Sequence, residues 1–334
     1  MTRLPPVPPW SPSTDAAVRQ ASQGRVRLLT DADTPALAAL ARRDPVANVF
    51  VESLLEAGRR AGPRGGAGGT LFLGVPEDPD AAAPAGALRA AAWVGSNVVP
   101  VVPPGRAEST ATDDDAAALA AAVVALRRRL GSVYGPAAAV LTIGRALRTA
   151  GHRPRSVREE QPLLVAGERP AVAPLPDVVP ARPRDYDRVL PASAAMFEEE
   201  LGFSPFIGGA QQYRERVRGL IASGRVFIVP GDAPTPGVPA PDAPTPGAGA
   251  RPPLRFKADV GVLSSRCAQI QGVWMHPEHR GRGLAAGAMA AVVGLARRHA
   301  PVVSLYVNAY NTAALRTYAR VGFERVGTFA TVLY

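Results

Sequence analysis

With 334 residues and a hydrophobic fraction of 47%, the chain can bury a sizeable core and is long enough for two ordinary domains. Its net charge of +10 rests on 37 arginines and one lysine, Lys257, with no run of five or six basic residues and only 6% aromatics, which disfavours a nucleic-acid groove. The single Cys267 excludes an intramolecular disulfide and any thiolate-rich metal centre.

Residues 1–24 are proline-rich and aperiodic; they read as a disordered lead-in, and no apolar signal core is present. A short alternating strand is expected at Arg25–Leu29. Asp31 or Asp33 can then cap a helix that places Leu37, Leu40 and Ala41 on one face. A second helix is expected over Val46–Ala57, with Val46, Val49, Phe50, Ser53, Leu54 and Ala57 inward, followed by a glycine-rich loop over Gly58–Gly69. Leu71–Val75 and Ala87–Val94 read as strands. Asp113–Asp115 opens a long helix that closes at Arg127–Arg129, a charge order that the helix dipole explains without a ligand. Val133–Ile143 is a strand turning through Gly135-Pro136 into another helix. Residues 25–165 thus carry the element order of one α/β layer domain.

Residues 166–181, rich in Pro, Ala and Val, read as a linker. The unit that follows, 182–334, repeats the same order. Helices are expected near Tyr186–Leu201 and Gln211–Ala222, then a strand at Arg225–Val229. A Pro/Gly-rich insertion at 231–253 contains Asp232–Gly237 repeated as Asp242–Gly247, a composition that cannot bury a core and reads as disordered. Strands at Leu254–Leu263 and Cys267–Met275, a helix at Leu284–His299, a strand at Val302–Val307, a helix at Thr312–Val321 and a final strand complete the unit.

The chemistry concentrates after Cys267–Met275. Arg280-Gly281-Arg282-Gly283 opens the helix at Leu284, and its two glycines let the backbone bend into a nest of N–H groups. Those groups and the positive helix end form an anion site that suits a pyrophosphate. The pattern lacks the Gly-Lys-Ser/Thr of a P-loop and the glycine spacing of a dinucleotide fold. His276 and His279 flank Pro277 with no third ligand nearby and read as loop histidines. No apolar run is long enough to span a membrane, so a cytoplasmic protein is expected.

Val273-Trp274-Met275 with Arg280-Gly281-Arg282-Gly283-Leu284-Ala285 resembles the acyl-CoA-binding motif of the GNAT N-acetyltransferase superfamily. Leu305 to Asn311, with Ala314, Tyr318 and Gly322-Phe323, is similar to that family's second motif. The two occur in the family's order and spacing, and the resemblance covers residues 182–334. It resembles in particular a high-GC bacterial group with an added N-terminal domain of unknown function. The implied fold is α/β, an α+β mixed-sheet GNAT fold. The N-terminal domain would be a second, degenerate copy, without an Arg-Gly-x-Gly loop and without an assigned cofactor.

The resemblance implies acetyl-CoA as co-substrate, no metal, and transfer to a small-molecule or peptide amine, with homodimerisation left open. Pantetheine would insert between the strand before the loop and its parallel neighbour, bonding backbone groups near Val273 and Met275. Asn308 and Asn311 fall in the second motif; Asn311 either faces the cofactor or caps the helix at Thr312, and both roles can hold. Tyr318 matches the family tyrosine that protonates the departing thiolate, and it also reads as a core aromatic. Where many members carry a glutamate base, this chain has Gln269 and Gln271, which cannot accept a proton at neutral pH. Glu200, with Glu198 and Glu199, and Asp259 remain as carboxylates for that role. The missing base also leaves open a non-catalytic acyl-CoA sensor.

Overall fold

The computed structural model describes residues 12–65, 69–78, 86–103, 110–207, 209–231 and 252–334. All of the expected 231–253 insertion except residues 231, 252 and 253 lies outside these residues, as do residues 1–11. Within the expected lead-in, however, Pro12–Ala21 forms a helix, α1, because Val18 and Thr14 bury against the first unit's core, with Val26 following.

The first half then runs β1 (Arg27–Leu28), α2 (Thr34–Ala41), α3 (Val49–Glu56), β2 (Leu71–Pro76), β3 (Leu88–Val94) and β4 (Asn97–Val101). It continues with α4 (Thr110–Ala125), β5 (Ser132–Pro136), α5 (Ala137–Thr149) and β6 (Ser156–Ala166). The second half runs β7 (Val179–Pro180), α6 (Tyr186–Leu201), α7 (Ala210–Ala222), β8 (Val226–Val229), β9 (Phe256–Leu263) and β10 (Cys267–Met275). It ends with α8 (Leu284–Ala296), β11 (Val302–Tyr306), α9 (Thr312–Val321) and β12 (Phe323–Leu333).

Both halves start with one device. A short 3-10 turn, Asp31–Asp33 or Pro183–Asp185, feeds the first long helix, and its third residue is a buried aspartate. Asp33 accepts from the Thr30 N–H at 2.7 Å and pairs with Arg27 at 2.6 Å. Asp185 accepts from the Arg182 N–H at 2.9 Å and pairs with Arg188 at 2.7 Å. Each aspartate thus satisfies an orphan donor at the chain's entry into the helix. On α3, Val49, Val51 and Glu52 are buried and Phe50 and Leu54 pack against the core as expected, while Ala57 is exposed beyond its end.

The chain forms two compact units. In unit 1, β1 to β4 are antiparallel neighbours, β4 and β5 run parallel, and β12 then β6 follow. Helices α1, α4 and α5 cover one face and α2 with α3 the other. In unit 2 the order β7-β8-β9-β10 is again antiparallel and β10 pairs with β11 in parallel. The repeated strand order shows a mixed-sheet α/β fold built twice. Strand β4, missing from the expected elements, has only five residues, one a proline; β7 has only two.

The division of the chain differs from the expected one at 182. Residues Arg325–Tyr334 and Tyr306–Tyr310 belong to unit 1, while Leu164–Leu305 and Asn311–Glu324 form unit 2. The reason lies in β12, which pairs antiparallel with β5 from Phe329↔Pro136 to Leu333↔Ser132 and buries Ala330 and Val332 beside Ile143. Such pairing is non-local and leaves no periodic trace in the sequence. Deleting residues 325–334 should therefore destabilise unit 1: limited proteolysis is expected to cut first before residue 163. Equal protease resistance of the truncated and full chains would contradict this assignment.

Candidate functional site

Strand β10 is held on both sides only at its start. Its parallel ladder with β11 covers Cys267↔Val302, Ala268↔Val303 and Gln269↔Ser304. From Ile270 to Met275 it pairs with β9 alone among the described strands. The β9 register slips between Gln271 and Trp274, where β10 advances three residues against two, a bulge at Gly272–Val273. Gly272 has φ +56, a left-handed value that favours glycine. Bulge and parting together leave the backbone of Ile270–Met275 open on the β11 side, as an added extended chain would need.

Past Met275, a 3-10 turn at Pro277–His279 leads into Arg280-Gly281-Arg282-Gly283. Gly281 and Gly283 have φ +72 and +77, and a Cβ on either would meet nothing within 4 Å. Their freedom therefore serves the backbone and not internal packing. The first N–H groups of α8 have no intrahelical acceptors and carry the positive end of the helix dipole. Nest and helix end fit the spread charge of a pyrophosphate.

Arg280 is committed within the protein. Its guanidinium contacts both Glu199 oxygens at 2.8 Å, and its Nε donates to the Met275 carbonyl at 3.0 Å. The Trp274 indole donates to the same glutamate at 3.2 Å. Glu199 thus braces β10 and the loop from α6, while Arg282 remains exposed on the loop rim. His279 is pushed below its usual pKa by partial burial, with Arg282 and His276 adding to the effect. Among the described residues no cluster of three or more His, Cys, Asp or Glu stands close enough to hold a metal ion.

The remaining expected residues fall as follows. Tyr318 is buried on α9, its ring 5.7 Å from that of Phe323. Burial, and after it the charge of Glu200, holds its phenol well above the usual tyrosine pKa. It is therefore a protonated donor throughout the neutral range. Glu200 is exposed in the last turn of α6 and acts on Tyr318 through its field. Asn311 caps α9, its Oδ1 accepting from the Ala314 N–H at 3.1 Å. Asn308 belongs to unit 1, where its Oδ1 accepts from Gln161 at 2.9 Å and Gln161 in turn accepts from Thr331 at 2.7 Å. Leu284 and Ala285 form the first turn of α8, and Val273 sits in the bulge.

Two features escaped the sequence reading: the brace by Glu199, and a buried ion pair in which Lys257 Nζ lies 2.6 Å from Asp259. The pair had a visible signal, since the chain's one lysine stands two residues before an aspartate, on the same face of a strand. The brace had none, because Glu199 and Arg280 are far apart in the chain.

Residues 248–323 match the acetyltransferase (GNAT) family, and residues 81–189 match a domain of unknown function (DUF4081). No curated protein matches the sequence. In fold the chain is similar to an acetyltransferase from the GNAT family of Colwellia psychrerythraea, at 10% identity over 92% of this chain and 99% of that one, TM-score 0.53. It is also similar to a GCN5-related N-acetyltransferase from Sphaerobacter thermophilus, at 18% identity over 92% and 94%, TM-score 0.53. At these identities the likeness is one of fold, and it extends over nearly the whole chain.

Gly283→Val adds a β-branched side chain at a positive φ and fills the nest. CoA affinity measured by calorimetry should fall by at least ~100-fold with helix content unchanged. Retained affinity would contradict the assignment of this loop to the pyrophosphate.

Proposed function

We propose that this chain, whose residues 248–323 match the acetyltransferase (GNAT) family, is an acyltransferase that moves the acetyl group of acetyl-CoA directly onto a primary amine in a ternary complex. The family uses acetyl-CoA as co-substrate. The observation that supports this reading most is the parting of β10 from β11 after Gln269, beside the glycine nest at the start of α8. Pantetheine lying along Ile270–Met275 and its pyrophosphate on Arg280–Gly283 would bring the thioester to the inner end of the opening. Direct attack then needs an amine aligned with the carbonyl carbon, with backbone N–H groups of the bulge stabilising the oxyanion.

Tyr318 has the chemistry of the acid in this scheme. Its raised pKa keeps the phenol protonated, so that it can donate a hydrogen bond to the departing sulfur. Asn311 shapes the turn into α9 and so positions Tyr318 seven residues later. The absence of a membrane-length helix among the described residues is compatible with the cytoplasm, where acetyl-CoA is available.

Gln269 and Gln271 favour a second reading, an acyl-CoA sensor without turnover. Release of CoA thiol from acetyl-CoA with a panel of primary amines separates the two. Amine-dependent release supports transfer, and tight binding without release supports the sensor. In the active case, Tyr318→Phe should lower kcat by about 100-fold while leaving acetyl-CoA affinity within about three-fold. Unchanged turnover would make Tyr318 a packing residue.

A further inference from the structure

In a chain with 37 arginines, the one lysine is fully enclosed. Lys257 Nζ donates to Asp259 Oδ2 at 2.6 Å and to Ser193 Oγ on α6 at 3.1 Å. An enclosed charge is expensive unless paired, and a compact ammonium fits where a guanidinium fork would not. Asp259 is also buried, but only one of its oxygens is used. Oδ1 makes no hydrogen bond within the protein. A buried carboxylate oxygen in that state calls for a donor from elsewhere.

The pair sits against the bulge in β10, on the β9 side. Asp259 is the register partner of Gln271, and Lys257 of Trp274, so the two bracket the bulge. A Cβ on Gly272 would lie 2.8 Å from Asp259 Oδ2 and 3.1 Å from Lys257 Nζ. The bulge glycine therefore lets the β10 backbone approach the carboxylate directly. The neighbours of Asp259 are Lys257 on its own strand, Ser193 and Met196 from α6, Arg216 and Tyr213 from α7, and Gln271 from β10. The aromatic group of Phe197, Phe206 and Tyr213 adjoins it, with ring centroids 5.7 and 5.8 Å from Tyr213.

We propose that Asp259 Oδ1 takes the proton from the acceptor ammonium, and that Lys257 is the positioning residue that holds the carboxylate for this task. The inference rests on the transferase reading above. An ammonium gives one proton to Oδ1. The freed nitrogen lone pair attacks the thioester carbonyl carbon, forming the C–N bond. As the carbonyl reforms, the C–S bond breaks and sulfur takes the Tyr318 proton, which the second proton lost by nitrogen replaces. The products are the amide, the CoA thiol and one proton passed from Asp259 to solvent. Burial raises the pKa of Asp259, and Lys257 and Arg216 partly oppose this. The base is therefore stronger than an ordinary carboxylate and is lost as pH falls through its raised pKa.

The test measures CoA release with acetyl-CoA and primary amines, benzylamine among them, as a function of pH. Asp259→Asn should lower kcat by about 100-fold, leave acetyl-CoA affinity within about three-fold and abolish the acid limb of the profile. Lys257→Met should move that limb to higher pH, because the cation that opposes protonation is gone; a merely structural lysine would not move it. If Asp259→Asn fails to fold, the double variant Lys257→Met with Asp259→Leu fills the same space with apolar groups and should fold without activity. Turnover within a few-fold of wild type in either Asp259 variant, with the acid limb intact, overturns the inference alone. A wild-type protein that releases no CoA with any amine overturns the transferase reading, and this inference with it.

Discussion

A strand cannot leave its neighbour inside a protein without exposing backbone donors and acceptors that something must satisfy. Strand β10 does this after Gln269, and the rest of unit 2 is arranged around the consequence. The bulge at Gly272–Val273 turns the strand while keeping it paired to β9, so the sheet survives on one side and opens on the other. The loop that follows uses two left-handed glycines to aim its N–H groups at an anion, and α8 adds its dipole. In the proposed reading, both ends of an acyl-CoA would thus meet preformed backbone, with few side chains needed for affinity.

Side chains serve instead to hold this backbone still. Glu199 ties α6 to β10 through Trp274 and to the loop through Arg280. Lys257 and Asp259 lie under the bulge, where a side chain at position 272 would displace them. Tyr318 is fixed in a buried setting that favours its neutral form. These contacts join α6, β9, β10 and the loop, so a change on α6 is expected to be felt at Arg280–Gly283. The proposed base would stand on the adjacent strand, where Asp259 Oδ1 makes no hydrogen bond within the protein.

Much of unit 2 was legible because its signals are local. The boundaries of α6, β10 and α9 follow directly from periodicity, the αL glycines Gly202 and Gly322, and the cap at Asn311. The loop was legible because glycine at positive φ is a chemical necessity there. Helix α1 was hidden by its proline-rich surroundings, and β4 and β6 by a lack of clean alternation. The transfer of β12 into unit 1 could not be read, since its pairing with β5 joins residues nearly two hundred positions apart. At the site, the cap by Asn311 was legible, whereas the partnership of Lys257 and Asp259 showed only in the structure which oxygen was taken.

The central claim is that acyl-CoA adds to the open edge of β10 with its pyrophosphate at the start of α8. Amide hydrogen exchange with and without CoA tests this most directly. The account predicts slowed exchange at Gly281–Ala286 and at those Ile270–Met275 amides that do not bond β9 when CoA is present, with the amides of β9 itself unchanged. Protection confined to other segments, with these amides exchanging as in the free protein, would contradict it.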